Sequence, residues 1–271
     1  MAHLTLDISD SIATLTFANP PLQVMTPQTM NELNALLPRL AEADVRAVIL
    51  TGSDGAYFIR HFSVEELDNI TRGEGGHWDA NMDDILWQLE HLDKPVIAAL
   101  NGSAAGGGLE TALACDIRVA KEGPFQYGLP EVTVGILPGA GGTQRLPALV
   151  GRQRALEMML RGRLVSPSEA FQIGLIEELV PEQSDETALD RAKKIAAEIA
   201  AHPPEAVAHI KALVRKAASP LDREIVREES RRFADLMEKP SAQALMKTVA
   251  EQHRNARSNG ETPKLLGDPA D

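Results

Sequence analysis

Residues 94–118 read KPVIAALNGSAAGGGLETALACDIR. The apolar run Val96–Leu100 is typical of a parallel strand that is buried on both faces. It leads into three glycines, residues 106–108, and then into a sequence that can form a helix. Glycine permits positive φ and close approach of the backbone to a ligand, and free N–H groups at a helix start can face an anion. The stretch therefore predicts strand, tight turn and helix, with glycines that either line a ligand site or only allow close helix–strand packing.

Two common phosphate-binding loops do not fit these glycines. A Walker loop requires Lys followed by Ser or Thr after its last glycine, whereas Leu109 and Glu110 follow here. A dinucleotide fingerprint requires G-x-G-x-x-G, and no placement within residues 102–108 gives that spacing. Neither nucleotide-binding interpretation is therefore supported.

A second glycine-rich stretch, residues 125–146, reads FQYGLPEVTVGILPGAGGTQRL. It carries a single acid, Glu131, between Pro130 and Val132 in apolar surroundings. Burial of this carboxyl would raise its pKa, as a catalytic acid requires. The alternative is an ordinary solvated loop glutamate.

The flanking sequence predicts an α/β fold. Leu4–Asp7 and Ile12–Phe17 read as a hairpin, and Ala47–Leu50 reads as a further buried strand. Thr26 can cap a helix in which Pro38 predicts a kink or an early end.

From about residue 185 the pattern indicates helices only. Their apolar stripes should pack on the core or on other subunits; one of them comprises Val207, Ile210, Leu213 and Val214. We divide the chain into a core at 1–200, a C-terminal helical region at 201–258 and a disordered tail at 259–271.

Composition narrows the classes of function. The 271 residues suit one large domain, and the net charge of −12 argues against nucleic-acid binding. The seven histidines show no metal-ligand spacing, so we predict no metal. The single cysteine, Cys115, rules out an internal disulfide and fits a reducing cytoplasm. No apolar run approaches the roughly 18 residues that a membrane span requires, and we expect a cytoplasmic protein.

The two glycine-rich stretches closely resemble the two defining motifs of the enoyl-CoA hydratase/isomerase (crotonase) family. The resemblance extends more weakly from the opening strands to about residue 255. It implies a crotonase-like ββα spiral core with a C-terminal helical trimerisation region, assembled as a homotrimer or a dimer of trimers. It also implies an acyl-CoA thioester as substrate, with no cofactor because coenzyme A is part of that substrate.

The resemblance also implies roles for individual residues. Glu110 and Glu131 match the two catalytic carboxylates, one activating water and the other protonating the α carbon. Gly107 matches the glycine whose backbone N–H donates to the substrate carbonyl in the oxyanion hole. Gly106 and Gly139 match backbone positions close to the site.

The second oxyanion donor lies where the sequence departs from the family. The family has Ala-Gly-x-Asp where this chain has residues 59–62, Ile-Arg-His-Phe. By position, His61 should offer the backbone N–H, and its side chain is either an added acid/base group or part of the packing. Arg60 either contacts a phosphate of coenzyme A or pairs with a surface acid.

The leading interpretation is an enoyl-CoA hydratase, a lyase that adds water across the α,β double bond of a 2-enoyl-CoA. The alternatives are double-bond isomerisation, thioester hydrolysis, or hydration with cleavage of an aromatic acyl-CoA. A further alternative is an acyl-CoA-binding subunit without catalytic activity. Retention of both glutamates favours hydration, and the altered residues 59–62 keep the alternatives open.

Overall fold

A computed structural model describes residues 2–217 and 223–261 of the chain. Its strands are β1 Leu4–Ser9, β2 Ile12–Phe17, β3 Ala47–Gly52, β4 Tyr57–Ile59, β5 Val96–Leu100, β6 Ser103–Ala105, β7 Ile117–Lys121, β8 Tyr127–Gly128 and β9 Glu178–Val180. Its helices are α1 Pro27–Leu40, α2 Val64–Thr71, α3 Met82–Glu90, α4 Gly107–Leu113, α5 Gly142–Val150, α6 Arg152–Arg161, α7 Pro167–Gln172, α8 Ala188–Ala200, α9 Pro204–Ala217, α10 Arg223–Met237 and α11 Pro240–Ser258. A 3-10 turn spans Glu131–Val134.

The strands form two sheets. One has six strands in the order β1-β2-β3-β5-β7-β9, and the other has three in the order β4-β6-β8. The predicted hairpin is the antiparallel pair β1–β2, whereas the remaining pairs are parallel. The predicted runs β3 and β5 are neighbours near the centre of the larger sheet, and β5 is buried throughout. The α/β prediction is confirmed.

The first helix differs from its prediction at one end. Thr26 caps α1 as expected and forms a capping box with Thr29. The helix does not end at Pro38 but continues to Leu40. Proline lacks the N–H that would bond one turn back, yet Leu37 and Leu40 bury their side chains in the core on either side of it. Burial of these side chains offsets the lost hydrogen bond.

Strand β6 of the smaller sheet leads directly into the first glycine-rich turn. After β6, Gly106 adopts a φ of +51°, and α4 begins at Gly107. A Cβ at Gly108 would lie 2.1 Å from the carbonyl oxygen of Ile59, so only glycine fits there. Gly108 therefore serves close packing of α4 on β4, which was one of the two interpretations of these glycines.

The C-terminal helices attach to the core in different ways. Helix α11 packs beside α2. Helix α9 is tied through ion pairs, Lys211 to Asp116 at 2.7 Å and Arg215 to Glu90 at 2.6 Å. Its predicted apolar stripe is instead largely exposed in the single chain, at 58–65% for three side chains, namely Ile210, Leu213 and Val214. The ion pairs, rather than the stripe, hold α9 to its own core.

The structure describes only the first part of the predicted tail at 259–271. Residues 259–261 follow α11 and are described, whereas residues 262–271 lie outside the described residues. Among the described helices, none is long and apolar enough to cross a membrane.

Candidate active site

Glu110 lies in the first turn of α4 with 3% of its surface exposed. Its Oε1 accepts hydrogen bonds from the peptide nitrogens of Ala140 at 2.8 Å and Gly142 at 2.9 Å. Burial, followed by the negative charge of Glu229, raises the pKa of Glu110 to about 7. A carboxyl with this pKa exists in both protonation states near neutral pH, which suits proton transfer.

Glu131 lies at the start of the 3-10 turn, and its side chain approaches the first glycine-rich turn at Gly106. Its Oε1 is 3.2 Å from the point that a Cβ on Gly106 would occupy. The side chain is buried, and its Oε2 has no hydrogen-bond partner among the described residues. Burial, followed by the charge of Glu110, raises the pKa of Glu131 well above its ordinary value. The solvated-loop alternative is therefore wrong for this glutamate.

Both carboxyls line one apolar cavity of about 120 Å³. Gly106, Gly107 and Gly139 also border it, as predicted for residues near the site. The rings of Phe62 and Trp78 stack in its wall with centroids 5.5 Å apart. The other apolar side chains in the wall are Val64, Leu67, Ile70, Met82, Val134, Ile136, Ala140, Phe233 and Met237. Two acids of raised pKa in an apolar cavity are a typical arrangement for proton transfer to and from an organic substrate.

Two peptide nitrogens, those of Gly107 and Phe62, lie close together at this cavity. Gly107 is the first residue of α4, so its N–H has no acceptor within the helix. The peptide nitrogen of Phe62 lies 3.5 Å from the point that a Cβ on Gly107 would occupy. The carbonyl of His61 is turned away, because it accepts a hydrogen bond from the Met25 nitrogen at 2.8 Å. The nitrogen found beside Gly107 is thus that of Phe62, one residue after the predicted His61.

Comparison with known proteins agrees with this geometry. The family model described as "Enoyl-CoA hydratase/isomerase" matches residues 7–256. The chain belongs to the enoyl-CoA hydratase/isomerase family.

Individual members of this family match over most of their length. A "Probable enoyl-CoA hydratase" of Bacillus subtilis is 31% identical, with 94% of this chain and 98% of that protein covered. A "Short-chain-enoyl-CoA hydratase" of Clostridium acetobutylicum is 36% identical over 76% of this chain and 78% of its own. The crystal structure of an enoyl-CoA hydratase from Mycobacterium avium subsp. paratuberculosis superposes with a TM-score of 0.80 at 25% identity, covering 91% of this chain and 98% of that one. The crotonase fold predicted from the two motifs is confirmed.

His61 takes a packing position in this family member. Its ring is buried and stacks on that of His253 in α11. Its Nδ1 lies 2.7 Å from the carbonyl oxygen of Phe62 and donates to it, since a carbonyl only accepts. Burial, followed by the charges of Arg60 and His253, lowers the pKa of His61 well below 6.5. The ring is therefore neutral at pH 7, which favours the packing role over the acid/base role.

Arg60 lies away from the protein surface, with its side chain fully buried. Its guanidinium lies over the ring of Tyr57, 5.0 Å from the centroid, and the side chain is absent from the cavity wall. Both roles predicted for Arg60, a contact with a phosphate of coenzyme A and pairing with a surface acid, stay predictions. Long charged side chains are usually exposed, which is why both predictions placed Arg60 at the surface.

Sequence reasoning missed Glu229 in α10. This carboxylate is 4% exposed and accepts hydrogen bonds from the peptide nitrogens of Gly141 and Thr143 and from the Thr143 hydroxyl. A signal was present, because Glu229 stands on the same helical face as Val226 and Phe233, at i, i+3 and i+7. An acid inside an apolar stripe is a candidate for burial with a specific partner.

Cys115 is buried beneath this site and takes no part in it. Burial raises the pKa of its thiol to about 12, so the thiol stays protonated at neutral pH. A protonated thiol of this kind is a poor nucleophile.

Proposed function

We propose that this protein adds water across the α,β double bond of a 2-enoyl-CoA thioester. The observation that carries the proposal is the pairing of Glu110 and Glu131 on one apolar cavity beside two peptide nitrogens. Hydration requires one carboxylate as base and one carboxylic acid as proton donor. Apart from the coenzyme A of the substrate, the proposed reaction uses no cofactor.

In this mechanism the substrate carbonyl accepts hydrogen bonds from the N–H groups of Phe62 and Gly107. Ionised Glu110 takes a proton from water as the water oxygen bonds to the β carbon. The electron pair of the double bond moves toward the thioester oxygen, where the two N–H groups stabilise the enolate. One such donor typically lowers the barrier by about 3 to 4 kcal/mol.

The second half of the reaction returns the electrons to carbon. The enolate collapses as Glu131 gives its proton to the α carbon, which completes the addition of one water molecule. A proton must then pass from Glu110 to Glu131 to restore the resting state. Burial raises the pKa of both carboxyls, so that one can hold a proton while the other is ionised. The two carboxyls titrate as a coupled pair.

The test is a spectrophotometric assay with a four-carbon 2-enoyl-CoA, in which hydration removes the absorbance of the conjugated thioester. Glu110→Gln and Glu131→Gln should each lower kcat by about 10³-fold or more, since each removes a proton-transfer group. Exposed Glu182→Gln is the matched control and should behave as wild type. Tight binding by the wild type without loss of absorbance would reject hydration and favour another reaction of the family, or a binding role.

We also propose that the chain forms a homotrimer or a dimer of trimers. The exposed apolar stripe of α9 supports assembly, as do Leu156 and Leu160 on α6, which are 47% and 70% exposed. Large exposed apolar side chains that cluster on a surface mark protein interfaces. Sedimentation equilibrium tests the proposal, and a mass of one chain, 29.3 kDa, would reject it.

A further inference from the structure

Four consecutive peptide groups serve two carboxylates in alternation. The nitrogens of Ala140 and Gly142 donate to Oε1 of Glu110. The nitrogens of Gly141 and Thr143 donate to the two oxygens of Glu229. The peptide run 140–143 is therefore shared between a carboxylate on the cavity and a carboxylate behind it.

The run is held from both sides. Glu229 also accepts from the Thr143 hydroxyl, and Gly141 adopts a φ of +94° that favours glycine. On the other side, Arg145 donates through Nη1 to the carbonyl of Ala140 at 2.6 Å, and its Nη2 lies 2.8 Å from Oε2 of Glu90. Without Glu229, two buried N–H groups would lose their acceptor, and the run would rearrange to satisfy them.

Glu229 itself is outside the cavity wall. Any effect on the reaction must therefore pass through the peptide run to Glu110. Both donors from the run bind Oε1 of Glu110, which leaves Oε2 to a ligand. A fixed carboxylate with one oxygen presented to the cavity is suited to remove a proton from a water at a defined place.

We propose that Glu229 is a positioning residue, which aims the peptide run 140–143 so that Glu110 presents Oε2 to the reacting water. The inference rests on the proposed hydration. It gives helix α10, in the C-terminal region, an indirect part in the geometry of the base, through the peptide run.

The negative charge of Glu229 provides a second, independent measurement of its link to Glu110. Four elements bring charged groups together here: Glu110 on α4, Glu131 on the 3-10 turn, Arg145 on α5 and Glu229 on α10. After burial, the charge of Glu229 is the largest cause of the raised pKa of Glu110. Removing that charge should move the titration of Glu110 to lower pH.

The principal experiment uses the full chain with Glu229→Gln, which keeps the side-chain volume but removes the charge and one acceptor. We expect kcat to fall by about 10- to 100-fold, since small misplacement of a catalytic group costs this much. KM should stay within about twofold, because Glu229 does not touch the cavity. The rising limb of the pH–rate profile should also move to lower pH.

The matched control is Glu228→Gln, on the same helix and with the same change in charge. Glu228 is partly exposed, at 43% of its side chain, and among the described residues it pairs only with Arg231 and Arg232, so this variant should match wild type in all three measurements. If Glu229→Gln matched wild type in kcat, or lost activity with the pH limb unmoved, the positioning role would be overturned.

A second pair of variants decides the matter if Glu229→Gln does not fold. Thr143→Val removes one donor to Glu229 and leaves both carboxylates in place, whereas Thr143→Ser keeps the hydroxyl. Val should lower kcat several-fold more than Ser. Equal activity of the two variants would count against the inference.

Failure of the proposed hydration would be distinguishable. If the wild type does not hydrate the thioester, the pKa of Glu110 is followed by infrared titration of its protonated carboxyl band, assigned by loss of that band in Glu110→Gln. The band should titrate at lower pH in Glu229→Gln than in wild type. An unchanged midpoint would reject the link between the two carboxylates whatever the reaction is.

Discussion

The imidazole ring of His61 stacks on that of His253, with centroids 5.3 Å apart and planes inclined by 26°. His61 lies in the cavity wall and His253 lies on α11, so the stack joins the site to a C-terminal helix. Burial, followed by the charge of Arg60, lowers the pKa of His253 to about 4. Both rings are therefore neutral at pH 7, and protonation of either ring lowers the free energy of unfolding.

This stack predicts that the free energy of unfolding falls as the pH drops from about 6.5 to about 4. A histidine whose folded pKa is depressed is protonated first in the unfolded chain, so its contribution is complete above the unfolded pKa and is lost below it. For His253 the difference between 6.5 and about 4 corresponds to about 3 kcal/mol. Urea unfolding at pH 7 and pH 5 should show a smaller difference in His253→Gln than in wild type. The exposed residue His209→Gln is the control, and equal pH dependence in all three proteins would contradict the prediction.

The carboxyl pair predicts the pH dependence of turnover. Because Glu110 must be ionised to act as base, kcat/KM should rise with pH up to about 7 and fall tenfold for each pH unit below. Because Glu131 must hold its proton, the rate should decline again at higher pH, where that carboxyl ionises. Initial rates across pH 5 to 10 give the profile. A rate that is constant between pH 5 and pH 7 would exclude Glu110 as the base.

The oxyanion donors can be tested through Gly107. A Cβ there would lie 3.2 Å from the Met82 methyl and 3.3 Å from the Cβ of Phe62, so Gly107→Ala should push the two peptide nitrogens apart. We expect kcat to fall by about 10²-fold, as for loss of one oxyanion donor. Gly55→Ala is the control, because a Cβ at Gly55 meets nothing within 4 Å. Full activity of Gly107→Ala would show that this peptide group does not serve the reaction.

The stacked pair Phe62–Trp78 predicts where the acyl chain is limited in length. Trp78→Ala should open the cavity and raise kcat/KM for an eight-carbon relative to a four-carbon 2-enoyl-CoA by about tenfold or more, since burial of two of the four extra methylenes, at about 0.8 kcal/mol each, already gives about this factor. Trp87→Ala on α3 is a suitable control, as Trp87 stacks on His91 away from the cavity. The ratio of the two substrates is the measurement. An unchanged ratio would mean that the chain extends in another direction.

The two carboxyls that line the cavity could be singled out from sequence because each stands inside a distinctive glycine-rich motif. The second oxyanion position could not, since it depends on Ser63 capping α2 and so fixing Phe62 one residue before the cap. Glu229 was missed because its partners lie 86 and 88 residues earlier, a distance that no local pattern spans. The continuation of α1 past Pro38 could not be predicted from the local sequence either, because it depends on burial of Leu37 and Leu40 in the core.

Much of the proposed chemistry depends on main-chain atoms. Phe62 and Gly107 line the cavity with their nitrogens close to one another, and the nitrogens of Ala140 and Gly142 donate to Glu110, the proposed base. Alanine substitution removes none of these N–H groups and tests them only where an added Cβ displaces them, as at Gly107. Replacing single amides with esters by chemical ligation removes one N–H at a time and is the approach that makes these donors visible. A backbone N–H is present whatever the side chain, so the N–H of Phe62 can serve as a donor despite its bulky ring.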